Sequence, residues 1–229
     1  MRFLLIGASS GIGLNLVEVL SDHELKVICR SQKELPKHID FLSCDVTDVT
    51  TPLPTIEGEF DGLVYLPGTI NLRPFNQLKV EDFKKDWEVN FLGAARTIQH
   101  FLPQMKKDPK SSIVLISSVA AHIGMPFHCS IASAKGAVEA FGRSLAAELA
   151  PYIRVNVVSP SLTDTPLASQ LLTSDQKKEQ AAKRHPLHAI GKTKDICSAI
   201  RFLLMSDSEW VTGQVLHVDG GLSTIFKSF

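Results

Sequence analysis

Tyrosine is scarce in this chain: the 229 residues contain two, Tyr65 and Tyr152. Chemistry that needs a phenol must use one of those two positions. Apolar runs are short, and none approaches the roughly 18 residues of a membrane-spanning helix. The chain opens directly on an apolar run, so no signal peptide is expected. Its four cysteines, Cys29, Cys44, Cys129 and Cys197, lack metal-ligand spacing, so reduced intracellular thiols are expected rather than a disulfide framework or a metal site. Charge of either sign is not in excess, with 24 Lys and Arg against 24 Asp and Glu and a pI near 7.1. That balance implies no basic face for nucleic acid. There is no internal repeat and no low-complexity linker. A cytoplasmic protein with no membrane partner is the expectation.

What is present is a chain long enough for one sizeable core, 44% apolar. Short apolar runs recur at Phe3–Ile6, Lys26–Cys29, Phe41–Ser43, Gly62–Leu66, Ile113–Ile116, Arg154–Val158 and Gln214–Val218. Most are rich in Val, Ile and Leu without alternation, as in parallel strands covered on both faces. Helical patterns fall between them, including Val80–Leu102, Ser130–Ala150 and Lys194–Leu204. Alternating units of this kind predict a single-domain, Rossmann-like doubly wound α/β fold over residues 1–229, with ligands at the carboxyl ends of the strands. The polar, charged segment Pro166–Lys192 reads as a mobile substrate lid.

The first run, Arg2–Ile6, leads into Gly7-Ala8-Ser9-Ser10-Gly11-Ile12-Gly13 and then an amphipathic stretch from Leu14 to Leu20. This is strand, glycine turn, helix. Glycines let bare backbone approach a pyrophosphate, and N–H groups at the helix start stabilise its charge. The spacing GxxxGxG, together with motifs further along the chain, resembles the short-chain dehydrogenase/reductase family. The resemblance runs from Arg2 to about Ser223 and ends on Trp210-Val211-Thr212-Gly213-Gln214 and Val218-Asp219-Gly220-Gly221. Its tail and its Phe141-to-Pro160 stretch look most like the 3-oxoacyl-carrier-protein reductase branch.

The resemblance implies a nicotinamide dinucleotide as cofactor, cradled by Gly7, Ser9, Ser10, Gly11, Ile12 and Gly13. Asp45 and Val46 are similar to the family's adenine-contacting pair. Cys29-Arg30-Ser31 ends the second strand, where an NAD enzyme usually puts a carboxylate for the ribose hydroxyls. A carboxylate would repel a 2′-phosphate, whereas the Arg30 guanidinium can pair with it bidentately, and Ser31 adds a neutral donor. NADP(H) is therefore favoured over NAD(H), the alternative being that Arg30 is a solvated strand-end charge. Ser159-Pro160-Ser161-Leu162-Thr163-Asp164-Thr165 resembles the segment beside the nicotinamide, which implies a backbone contact from Leu162 next to Pro160 and a hydroxyl contact from Thr165. Ser161 replaces the usual glycine. Tyr65-Leu66-Pro67-Gly68 stands where the family has Asn-Asn-Ala-Gly, with only Gly68 kept.

In this family a tyrosine passes a proton to or from the substrate oxygen, a lysine four residues on holds the nicotinamide ribose, a serine shares the oxyanion and an asparagine supports a proton relay. Asn90, Ser118 and Lys135 match the last three. The tyrosine position, thirteen residues after Ser118, is Ile131. Tyr152 lies at the far end of the long helix. Tyr65 ends a strand near the cofactor and could face the site from an unexpected side. A positioned general acid supplies about 10²–10⁴ in rate, and Ile131 supplies no proton. His128, seven residues before Lys135, stands where enoyl-thioester reductases of this family place their tyrosine relative to the lysine. An imidazole can donate a hydrogen bond or proton to a developing enolate. Its alternative is a loop histidine. Cys129 is a conceivable nucleophile, Ser130 and Ser133 read as helix-start and packing residues, and His122, His185, His188 and His217 read as solvated or capping.

These residues are compatible with three functions. The first is an NADP(H)-dependent oxidoreductase with a rebuilt proton-donor site, acting on a small-molecule or acyl-thioester substrate with a carbonyl or activated C=C group. The second is a cofactor-binding pseudoenzyme, a redox sensor or partner subunit. The third is a non-redox lyase or isomerase. A homotetramer or homodimer is implied by the resemblance; small residues on the Ser130–Ala150 helix permit close packing, against a partner or against the protein's own sheet.

Overall fold

The computed structural model of the chain describes residues 1–108 and 110–226. Among these, the elements in chain order are β1 (Arg2–Ile6), α1 (Gly11–Val19), β2 (Glu24–Cys29), β3 (Asp40–Ser43), β4 (Gly62–Tyr65), α2 (Val80–Trp87), α3 (Gly93–Phe101), β5 (Ser112–Ile116), α4 (Cys129–Leu149), β6 (Arg154–Pro160), β7 (Thr163–Asp164), α5 (Asp175–Lys183), β8 (Gly191–Lys192), α6 (Thr193–Leu204) and β9 (Val215–Val218). Seven strands form one parallel sheet in the order β3-β2-β1-β4-β5-β6-β9. The Rossmann-like arrangement expected from the apolar runs is present. The short pair β7 and β8 forms a separate parallel ribbon that no apolar run announced.

The unbroken apolar runs are explained by the two cores they serve. On β1, Leu4 and Ile6 face one layer and Phe3 and Leu5 the other. The first layer joins Ile98 and Phe101 of α3 with Val138 and Leu145 of α4. The second joins Leu16 and Val17 of α1 with Ile196, Ile200 and Leu203 of α6. Period-2 alternation within each strand therefore distributes residues between two buried faces, so both must be apolar.

Strand order reverses between β1 and β4, which opens a crevice at their carboxyl ends. Gly7 follows β1 there with φ +81°, and an added Cβ would meet the Pro67 ring at 2.8 Å. An added Cβ at Gly13 would meet Ala8 Cα at 2.5 Å. Glycine at these two positions is thus set by left-handed backbone and by the close packing of α1 on the turn.

The helix expected over Val80–Leu102 is not continuous. A π-helical turn at Glu88–Leu92 separates α2 from α3. Such a turn inserts one residue and frees a carbonyl from the ladder. The Tyr65 hydroxyl donates to the Val89 carbonyl at 2.7 Å, and an added Cβ at Gly93 would collide with that hydroxyl. Tyr65 is 2% exposed, and burial pushes its phenol pKa up. It therefore does not face the site as an acid; it seals a helix defect.

Tyr65→Phe should destabilise the protein by about 0.5–1.5 kcal/mol, because the half-buried Val89 carbonyl loses its donor. Urea unfolding of the two proteins measures this; an unchanged midpoint would show that the bond contributes nothing.

Candidate functional site

Two adjoining cavities occupy the crevice. The first, about 870 Å³, is lined by the glycine turn from Gly7 to Gly13, by Cys29, Arg30 and Ser31 after β2, by Asp45 and Val46 after β3, and by Pro67 and Gly68 after β4. The second, about 600 Å³, is lined by Gly68, Ser118, His128, Ile131, Lys135, Pro160 and Leu162, among others. Ile12, Gly68, Thr69, Ile116 and Thr165 line both. The folding thus gathers the residues singled out in the sequence around one continuous space, with Asn90 just behind its wall.

At the junction sits a buried ammonium. Lys135, on α4 and 6% exposed, donates from Nζ to the Ile116 carbonyl at the end of β5, at 2.8 Å. An added Cβ on Gly68 would lie 3.5 Å from Lys135 Nζ and 3.3 Å from Asn90 Oδ1. Absence of a side chain at Gly68 therefore leaves an opening on which both groups converge. Burial pushes the Lys135 pKa down to about 8, opposed by the charge of Asp86. This lysine does not snorkel to solvent.

Asn90 lies in the π-helical turn. Its Nδ2 donates to the Thr69 hydroxyl at 2.8 Å and to the Asp86 carbonyl at 2.7 Å, while its Oδ1 is buried with no partner among the described residues. The Asp86 carboxylate is itself 1% exposed and accepts from Thr69 Oγ1 and from Ser130 Oγ, each at 2.6 Å. Ser130 is thus more than a helix-start residue: it ties α4 to α2 through Asp86. Sequence reasoning missed Asp86 and Thr69, although Asp86 and Asn90 stand four apart, the spacing that puts two helical residues on one face.

Ser118 accepts at Oγ from the Ala120 N–H at 3.3 Å, which leaves its hydroxyl proton free for the cavity. Ser117 instead turns away to Glu139 at 2.8 Å. Ile131, 5% exposed, contributes only apolar wall. His128 lies at the start of α4 with Nδ1 2.7 Å from the Pro126 carbonyl. A carbonyl only accepts, so Nδ1 carries the hydrogen and Nε2 is the remaining functional nitrogen. Cys129 is exposed and lines neither cavity.

In the first cavity Arg30 is exposed, and Lys33, which sequence reasoning missed, joins it. Asp45 is the one carboxylate among the described lining residues. Its Oδ1 accepts from the Thr47 hydroxyl at 2.7 Å and N–H at 3.0 Å, and these bonds hold its pKa below the usual range. Cys29 donates to the Ser31 carbonyl at 3.3 Å, and burial pushes its thiol pKa up. Thr165 caps the 3₁₀ turn Pro166–Leu171 by accepting from Ala168 N–H at 3.3 Å.

The segment 166–192 is less polar in structure than in sequence. Besides that turn it holds α5, and it buries Ala168, Leu172 and Ala181 against Leu162 and Ile190. His185 is 4% exposed, not solvated: Nδ1 lies 2.9 Å from the Ala181 carbonyl and Nε2 lies 2.9 Å from the Ser161 hydroxyl. Among the described residues no group of three His, Cys, Asp or Glu could hold a metal ion, and no helix is long and apolar enough to cross a membrane.

Sheet order and paired cavities define a class, the doubly wound α/β proteins with ligand space at the strand carboxyl ends. A family model for enoyl-(acyl carrier protein) reductase matches residues 7–223. The 3-oxoacyl-[acyl-carrier-protein] reductase FabG of Thermotoga maritima is 32% identical over 96% of this chain and 96% of the relative. A tropinone reductase homolog of Arabidopsis thaliana is 30% identical over 97% and 93%. The crystal structure of a short-chain dehydrogenase family protein from Francisella tularensis superposes with a TM-score of 0.87 at 27% identity, covering 98% of this chain and 99% of the other. ElxO with NADP bound superposes with a TM-score of 0.85 at 26% identity, covering 98% and 99%. The chain belongs to the short-chain dehydrogenase/reductase family, whose members are oxidoreductases.

Asp86→Ala should cost about 1–3 kcal/mol, since it removes the acceptor of the Thr69 hydroxyl and the nearer of the two acceptors of Ser130. Chemical denaturation measures it; a loss below about 0.5 kcal/mol would mean that the network contributes little to stability.

Proposed function

We propose that the chain is an NADP(H)-dependent oxidoreductase that reduces a carbonyl or an activated C=C group, with its proton donor moved off the tyrosine position. The observation that carries this reading is the buried pair of Lys135 and Asn90 converging on the open face of Gly68, with Ser118 lining the same cavity. A buried ammonium beside an unpartnered amide oxygen is unfavourable unless something hydroxylated completes the site.

The residues fit the dinucleotide on three counts. Gly7 and Gly13 leave bare backbone where a Cβ could not stand. Lys135 Nζ and Asn90 Oδ1 offer one donor and one acceptor to ribose hydroxyls or water. Arg30 and Lys33 give the far end of the cleft two cations, which favours the extra phosphate of NADP(H) over NAD(H). Gly7, Ser9, Ser10, Gly11, Ile12, Gly13, Arg30, Ser31, Asp45, Val46, Gly68, Pro160, Leu162 and Thr165 would hold the cofactor. The bound nicotinamide supplies the hydride.

The remaining steps belong to the chain. Ser118 donates a hydrogen bond to the substrate oxygen as charge develops there, a preorganised contact of the kind that stabilises oxyanions. Lys135 adds positive potential and orients the ribose. With Nδ1–H held by the Pro126 carbonyl, a protonated His128 can deliver its Nε2 proton to the substrate. Residues 166–192 cover the substrate side of this single domain. Assembly into a homodimer or homotetramer would use the small-residue face of α4, where a Cβ on Gly136 would meet nothing within 4 Å.

Ile131 supports a second reading, a cofactor-binding pseudoenzyme, since its apolar side chain fills the position from which the family's tyrosine would donate.

Calorimetric titration should find NADPH binding at least about tenfold tighter than NADH, with Arg30→Ala removing most of that preference, as expected for loss of a charge-assisted pair. Binding of neither dinucleotide would contradict both the enzyme and the pseudoenzyme reading.

A further inference from the structure

Accepting the oxidoreductase reading, the second cavity also carries information about what is reduced. Its described lining residues include no aspartate and no glutamate. Most are apolar, with Ile70, Leu72, Ile123, Met125, Leu167 and Leu171 among them. Two cations stand among them besides Lys135: Lys177 on α5 and Arg184 at its C-terminal end.

Their placement comes from helical spacing. Lys177, Gln180, Ala181 and Arg184 lie at i, i+3, i+4 and i+7, so they share one face, and all four line the cavity. The opposite face keeps its charges to itself, with Lys183 paired to Glu179 at 2.7 Å and Lys178 outside the lining. On the inner face no such pairing exists. Lys177 Nζ donates only to the neutral Thr173 hydroxyl at 3.0 Å, and Arg184 has no acidic partner among the described residues. His185 is held between the Ala181 carbonyl, 2.9 Å from Nδ1, and the Ser161 hydroxyl, 2.9 Å from Nε2. The wall is therefore apolar, cationic and free of carboxylates. Exposed cations with no counter-charge beside an apolar cavity complement a ligand that carries one anionic end on an apolar body.

We propose that the substrate is an amphipathic carboxylate: its carboxylate is held by Lys177 and Arg184, its hydrocarbon body lies against the cavity wall, and its reducible group is presented to Ser118. The cavity, about 600 Å³, is within the size range of pockets that enclose such molecules.

The test needs no turnover and no dinucleotide, so its result stands apart from that of the cofactor titration. Octanoate, methyl octanoate and 1-octanol are titrated into the protein by calorimetry. Octanoate should bind at least about tenfold tighter than the other two, and raising salt from about 0.05 M to about 0.5 M should weaken octanoate alone. The double variant Lys177→Gln/Arg184→Gln should reduce octanoate to the affinity of octanol. Lys178→Gln/Lys183→Gln, on the outer face, should leave it unchanged. Equal affinity of octanoate and octanol for the unaltered protein would overturn the proposal. So would octanoate binding that survives in the inner-face variant, or no octanoate binding at all.

Discussion

A charged lysine buried inside a protein is a standing cost, and the site is arranged around it. Lys135 reaches from α4 into the crevice, where the Ile116 carbonyl is the acceptor its ammonium finds among the described residues. Water would solvate that group far better, and this loss of solvation pushes its pKa down to about 8. Asp86 opposes the shift from a distance, held in place by Thr69 and Ser130. The π-helical turn swings Asn90 so that its amide donates backward to Thr69 and Asp86 while its oxygen stays unpaired beside Gly68. Tyr65 in turn closes the backbone gap that the turn creates. Remove the ammonium, and the reasons for the bare Gly68, the orphaned Asn90 oxygen and the buried Asp86 go with it.

The same site explains how an α4 helix can lack a phenol yet keep its neighbours. Ile131 is buried and lines the cavity wall as an apolar residue. Proton supply is a separable function, and in the proposed reading it passes to His128, which lines the same cavity one helical turn before Ile131. In the same proposed reading, orientation and charge stabilisation stay with Lys135, Asn90 and Ser118. The electrostatics divide along the crevice, with Arg30 and Lys33 at the end by the glycine turn, the Lys135 ammonium at its centre, and Lys177 and Arg184 across it on α5 and at its end.

Much of this was legible in the sequence. Parallel strands covered on both faces must be apolar throughout, so the sheet announced itself, and the glycine turn named the crevice. What failed was orientation. The Val80–Leu102 periodicity survives a one-residue π insertion, so the break at Asn90 left no trace in the pattern. Tyr65 ends β4, but two residues before it Leu63 already belongs to the α3–α4 core, and period-2 alternation assigns Tyr65 to that same layer. The segment 166–192 reads as polar because α5 carries its charges on both faces, which hides the buried Ala181 and His185 between them. Asp86 reads as one acid among many on an amphipathic helix, its burial being decided by Thr69 and Ser130 far away in the chain.

The central claim is that Lys135 is held buried for a ligand that completes its solvation. Carbon NMR of protein labelled at lysine Cε, with Lys135→Met assigning the resonance, follows its titration in the free protein and with NADP⁺ in excess. The account predicts a midpoint near pH 8 in the free protein, moving upward with NADP⁺ as new acceptors and phosphate charge favour the ammonium. A midpoint near the ordinary lysine value of about 10.4, unmoved by NADP⁺, would contradict it.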